Sequence, residues 1–78
     1  MIYEVKRGFS KRENCYMYGI YKDGELYKKM VLFGKKNAEL VADFLNIMEE
    51  YILDQENGMR QIIQILRIDK ERKSKWQS

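Results

Sequence analysis

Residues with chemical potential are sparse in this chain. It contains no histidine, which removes the commonest general base and the commonest metal ligand together. Cys15 is a lone thiol in an alternating apolar run, where a cysteine behaves as a small buried hydrophobe; without a base or a cationic neighbour it is a poor nucleophile. Ser10, Ser74 and Ser78 have no catalytic partners in the pattern. Glu39 with Asp43, and Glu50 with Asp54, stand four apart on one helical face, a spacing at which two carboxylates can share a divalent cation but far more often only meet water. The five glycines form neither a phosphate loop nor a dinucleotide fingerprint. The expectation is no catalytic residue, no metal and no cofactor.

The feature above background is a paired set of aromatic and aliphatic residues between Cys15 and Phe33. Two alternating segments, 15–22 and 25–33, flank Asp23-Gly24, a dipeptide suited to a type I′ turn because both central positions need positive φ. That turn pairs Lys22 with Glu25, Ile20 with Tyr27, Tyr18 with Lys29, Tyr16 with Val31, Met17 with Met30 and Cys15 with Leu32. One face then carries Cys15, Met17, Tyr21, Leu26, Met30 and Leu32, enough to pack a helix. The other carries Tyr16, Tyr18, Ile20, Tyr27, Lys29, Val31 and Phe33, too apolar for a plain solvent face. It is expected to be covered by a second helix, an identical subunit, a protein partner or stacked nucleic-acid bases.

The surrounding elements follow from period. Residues 2–7 alternate and read as a first strand, joined to the hairpin by a polar connection over 8–14. After Gly34 the period changes from two to 3.6. Asn37 is the expected N-cap of a helix over about 37–56, with Glu39 in its first turn and an apolar stripe of Val41, Phe44, Leu45, Met48, Tyr51 and Ile52 widened by Leu40 and Ile47. Gly58 is the expected stop, with Asn57 equally able to take the left-handed position. A second helix is predicted over about 59–72, with a strand over Ile62–Ile68 as the alternative, and a basic tail over 73–78 that frays. The fold class is α+β: a small antiparallel sheet crossed by a long helix, within one domain.

Size and charge narrow the function. A 78-residue chain buries only about 60–65% of its unfolded surface, so one subunit encloses little ligand volume. The net charge of +3 is divided along the chain: +5 over residues 1–36, −6 over 37–57 and +4 over 58–78. A uniformly basic nucleic-acid binder would not be built this way. No apolar run reaches the ~18–20 residues that span a bilayer, and no apolar leader follows Met1, so a cytoplasmic location without membrane contact is expected.

The segment YGIYKDGELYKKMVLFGKKNAELVADFLNIMEE resembles a pattern among very short accessory proteins of bacteriophages and mobile elements of Gram-positive bacteria. In these, a Tyr-Gly and Asp-Gly hairpin leads into a helix of the type formed here by Asn37, Ala38, Glu39, Asp43, Phe44, Leu45 and Asn46. The resemblance covers about half the chain and supplies no catalytic residue. It implies an accessory protein made inside a bacterial cell, of a kind that inhibits or redirects host proteins, host defence components included. The first reading is a non-enzymatic interaction protein that binds a host macromolecule through the tyrosine face or the acidic helix. Tyr16, Tyr18, Tyr27, Lys29, Phe33, Glu39, Asp43 and Glu50 are the candidate partner-binding residues. The alternative is a nucleic-acid binder that stacks bases on the tyrosines and tracks the backbone with Lys28, Lys29, Lys35, Lys36 and the basic tail. A third reading places a ligand or active site at an oligomer interface. Surplus apolar surface predicts a homodimer through the Ile62–Ile68 region or the tyrosine face.

Overall fold

The computed structural model describes residues 2–51 and 55–77, with only the backbone described for Glu50, Tyr51, Gln55 and residues 72–77. Three antiparallel strands, β1 (Tyr3–Ser10), β2 (Cys15–Lys22) and β3 (Glu25–Leu32), lie in the order β1-β2-β3. Two helices follow, α1 (Lys35–Tyr51) and α2 (Gln55–Gln77). This is the α+β architecture that the change of period at Gly34 predicts.

The two turns are set by residues that tolerate a left-handed backbone. Asp23 and Gly24 have φ of 53° and 80°, the type I′ geometry expected of them. The β1–β2 connection is shorter than the polar composition of 8–14 indicated: Gly8 to Ser10 continue the strand, and the reversal occupies only Lys11 to Asn14. Asn14 takes φ 55°, and the Ser10 hydroxyl accepts the Glu13 N–H at 3.2 Å, so a left-handed backbone position and one side-chain bond close the turn that composition alone left open.

The predicted register holds only beside the Asp23-Gly24 turn, where Lys22 faces Glu25 and Tyr21 faces Leu26. Farther along, Gly19 faces Val31 and Tyr18 faces Leu32, so Ile20 alone stands opposite the whole stretch Tyr27–Met30. The expected pairs Ile20–Tyr27, Tyr18–Lys29, Tyr16–Val31, Met17–Met30 and Cys15–Leu32 are therefore replaced. Lys28 and Lys29, with φ of 45° and 55°, make this bulge. It inserts an odd number of residues, and because strand side chains alternate with period two, everything beyond it changes face.

The bulge redistributes both expected faces. The inner one gathers Tyr3, Val5, Tyr18, Ile20, Tyr27, Met30 and Leu32, and α1 packs on it through Ala38, Val41, Ala42 and Leu45. Tyr18, Ile20 and Tyr27 thus come from the expected partner face, and Met30 and Leu32 from the expected helix-packing face. Ile20, Leu32, Val41 and Ile62 are fully enclosed, and Ile62 shows that α2 completes the same core.

Two polar side chains tie the layers together. Asn46, buried on α1, accepts the Tyr3 N–H at 2.9 Å and donates through Nδ2 to the Tyr3 carbonyl at 3.2 Å, so its amide stands in for a neighbouring strand. Asp69 of α2, 2% exposed, accepts the N–H groups of Phe33 at 2.6 Å and Gly34 at 2.8 Å and the Asn37 amide at 3.1 Å. α1 has no acidic residue in its first turn, and Asp69 supplies a carboxylate to that positive end from another element. Asn37 is accordingly not the N-cap: the helix begins at Lys35, the Gly34 carbonyl accepts the Ala38 N–H at 3.0 Å, and Asn37 turns to Asp69.

Gly58 also departs from its expected role as a stop. It lies inside α2, which extends beyond 59–72 at both ends, and a Cβ there would collide with the Met48 side chain. The glycine is selected by helix–helix approach rather than by helix termination. The strand alternative for Ile62–Ile68 is not adopted.

Candidate interaction surface

Both helices use the inner face of the sheet, and the opposite, outer face carries Glu4, Lys6, Cys15, Met17, Gly19, Tyr21, Leu26 and Val31 by register. Among the described residues, none of the helix side chains that pack on the sheet belongs to this layer. Tyr21 and Leu26 close over Gly19, where any Cβ would press into both side chains, so the glycine allows two large residues to lie flat at the centre of the face. Lys6 extends over the Tyr21 ring, its Nζ 5.0 Å from the centroid. Leu26 and Val31 remain 40% exposed, and Met17, Cys15 and Tyr21 are half-buried. The result is a shallow apolar plateau with a cation and a carboxylate on its β1 side.

A second exposed group stands where the β1–β2 hairpin projects past α1. Phe9 and Tyr16, each 54% exposed, meet edge to face at 5.3 Å, and the Arg7 guanidinium lies 4.6 Å from the Tyr16 centroid. Behind them, Val5, Arg7, Tyr18, Lys35 and Glu39 line a depression of about 250 Å³. A groove of about 350 Å³ continues along the β1 edge, lined by Tyr3, Glu4, Val5, Glu39, Ala42, Asp43 and Asn46.

The eight candidate residues are dispersed by this arrangement. Tyr16 is exposed at the hairpin end, whereas Tyr18 is half-buried beneath the start of α1. Tyr27 packs its edge on Tyr3 at 5.0 Å and belongs to the core margin. Lys29 is an exposed bulge residue, and Phe33 is half-buried with its N–H held by Asp69. Glu39 and Asp43 are exposed together on the β1 groove; the side chain of Glu50, and all of Asp54, lie outside the described residues. The expected tyrosine surface therefore does not exist as one patch. Tyr21 and Leu26, assigned from sequence to the packed face, are central to the exposed one, and only the bulge, which leaves no local mark in the sequence, separates the two outcomes.

At the far end of α1, the Tyr3 hydroxyl donates to Glu49 Oε1 at 3.2 Å, Lys22 Nζ reaches the same oxygen at 3.3 Å, and Lys22 lies 5.4 Å from the Tyr3 centroid. Burial, the Tyr27 hydroxyl and the Glu49 carboxylate all oppose ionisation and push the Tyr3 phenol well above its ordinary range. This cluster rims a further depression of about 260 Å³ with Lys28, Leu45, Met48 and Met59, a set containing no nucleophile paired with a base. Among the described residues no three acidic or cysteine side chains converge as a metal site would require, and no helix is long and apolar enough to cross a membrane. Compared with protein-family models, curated proteins and solved structures, the chain matches none.

Proposed function

We propose that this is a non-enzymatic, phage-encoded interaction protein that docks on a host protein through the outer face of its sheet and inhibits or redirects it. The observation that supports this reading is the one-sided layering: a three-stranded sheet with both helices on one face leaves Leu26 and Val31 exposed and Met17 and Tyr21 half-exposed. An apolar centre bordered by Lys6 and Glu4 is the usual anatomy of a protein-binding patch. Base stacking is the weaker use of the same surface. The exposed ring of Tyr16 and the half-buried ring of Tyr21 each already carry a cation from β1, and β-sheet platforms for single strands need open aromatic faces.

The test is affinity capture from a Gram-positive host lysate, with and without nuclease, using the wild-type chain beside Leu26→Glu and Val31→Lys. Both positions are partly exposed and outside the core, so the variants keep the fold. Retention of a protein after nuclease treatment, and its loss from both variants, is the expected result. Loss on nuclease treatment alone transfers the function to nucleic acid.

A further inference from the structure

We infer that β1 is the seat of a twofold dimer in which the strand pairs antiparallel with β1 of a second copy, centred on Gly8, to make one six-stranded sheet. The first observation is an open edge. Both backbone groups of Tyr3 point away from β2 to Asn46, and in an antiparallel pair every second residue repeats that direction, so Val5, Arg7 and Phe9 present their N–H and C=O groups outward. No described residue takes up those groups. Among the described residues Asn46 bonds β1 at Tyr3 alone, and α1 stops flanking the edge at Arg7 and Lys35, leaving Phe9 clear. The opposite edge of the sheet differs: β3 is broken by the Lys28-Lys29 bulge, a common device against strand addition.

Charge selects the occupant. The edge is bipolar, with Glu4, Glu39 and Asp43 along the groove beside Tyr3 and Val5, and Arg7, Lys11, Arg12 and Lys35 outnumbering Glu13 at the other end. An antiparallel twofold copy places the acidic end of each subunit against the basic end of its mate. A uniformly acidic or basic peptide would meet repulsion at one end.

Register follows from the same charges. Centring on Lys6 or on Arg7 sets each against itself, and centring on Phe9 sets Arg7 opposite Lys11. Centring on Val5 needs the Tyr3 backbone groups that Asn46 already holds, and centring on Ser10 carries most of the pairing into the Lys11–Asn14 turn. Centring on Gly8 keeps the pairing within β1 and sets no like charges directly opposite: Arg7 faces the mate's Phe9, Lys6 faces Ser10, and Glu4 comes alongside Arg12 in the mate's turn. Arg7 then meets an aromatic ring across the axis as it meets Tyr16 within the subunit. Gly8, with open space around its Cβ position, permits the close approach of the central pair. With β3 blunted, addition stops at two copies, and the outer face is left free on both.

Sedimentation equilibrium of the full chain over a range of concentrations tests the dimer, and charge reversal tests the register. Glu4→Lys and Arg12→Glu should each weaken self-association by about tenfold or more, since each places two like-charged pairs in the dimer. An equimolar mixture of the two variants should restore it, because every reversed residue then meets its opposite. In the wild type, hydrogen exchange of the Arg7 and Phe9 amides, which pair with each other across the axis, should slow as concentration rises, a measurement that needs no variant. A single-chain mass at the highest concentration overturns the inference, and so does a dimer that both charge reversals leave unchanged or that leaves those two amides unprotected. None of these outcomes depends on whether a host protein binds the outer face.

Discussion

At the scale of single residues, the molecule is held by polar side chains placed where the backbone would otherwise lack partners. Asp69 satisfies two N–H groups at the β3–α1 junction and is itself almost wholly buried. Asp69→Ala should therefore cost about 2–4 kcal/mol, the loss of charge-assisted bonds together with donors left unsatisfied; urea titration read by circular dichroism gives the value, and a loss below about 1 kcal/mol would contradict the role. Tyr3 predicts the alkaline behaviour. Its phenol is raised in the folded state, so its contribution is fully present below the unfolded tyrosine value of about 10 and is lost as pH rises toward the folded one. The wild type should lose stability above about pH 10, and Tyr3→Phe should flatten that part of the profile. Neither Asp69 nor Asn46 was legible in the sequence: each acts on a segment more than thirty residues away, and local periodicity carries no information at that distance. The carboxylate pair Glu39 and Asp43 was legible as two exposed neighbours, but not as one wall of a groove whose other wall is β1.

At the scale of elements, what could be read was whatever depends on period and turn chemistry. The hairpin about Asp23-Gly24, the first strand and both helices follow from alternation, from an Asp-Gly pair and from apolar steps of three and four. Helix ends were less accessible, because Gly58 serves an inter-helix contact that looks like a stop signal from sequence. The bulge was inaccessible: Lys28 and Lys29 are ordinary polar strand residues by type, and lysine in the left-handed region has no compositional signature. That conformation costs about 1–2 kcal/mol per residue. Lys29→Gly should recover part of it, leaving a net gain of about 0.5 kcal/mol after the greater unfolded-state entropy of glycine, and a melting point higher by about 2–4 °C for a chain of this size. A lowered melting point would show that the bulge is held by the Lys29 side chain instead.

At the scale of the whole molecule, one core serves three layers of contact, and charges placed within it have nowhere to go. Val41 and Leu45 are enclosed between α1 and the inner sheet face, and Val41→Asp or Leu45→Asp should each unfold the chain, since an unpaired buried charge costs several kcal/mol against a total stability of about 4–12 kcal/mol. Loss of far-UV helical signal in either purified variant checks this. The Lys28-Lys29 bulge also sets how the molecule tolerates changes of length. Removing one residue there alters the strand's parity, turning Met30 and Leu32 to water and Val31 to the core, whereas removing two shortens the bulge and leaves inside and outside as they were. Chains of this architecture should therefore vary in length at this point only by even steps, and a single-codon deletion between Tyr27 and Met30 should be as damaging as a charge in the core while touching no core residue.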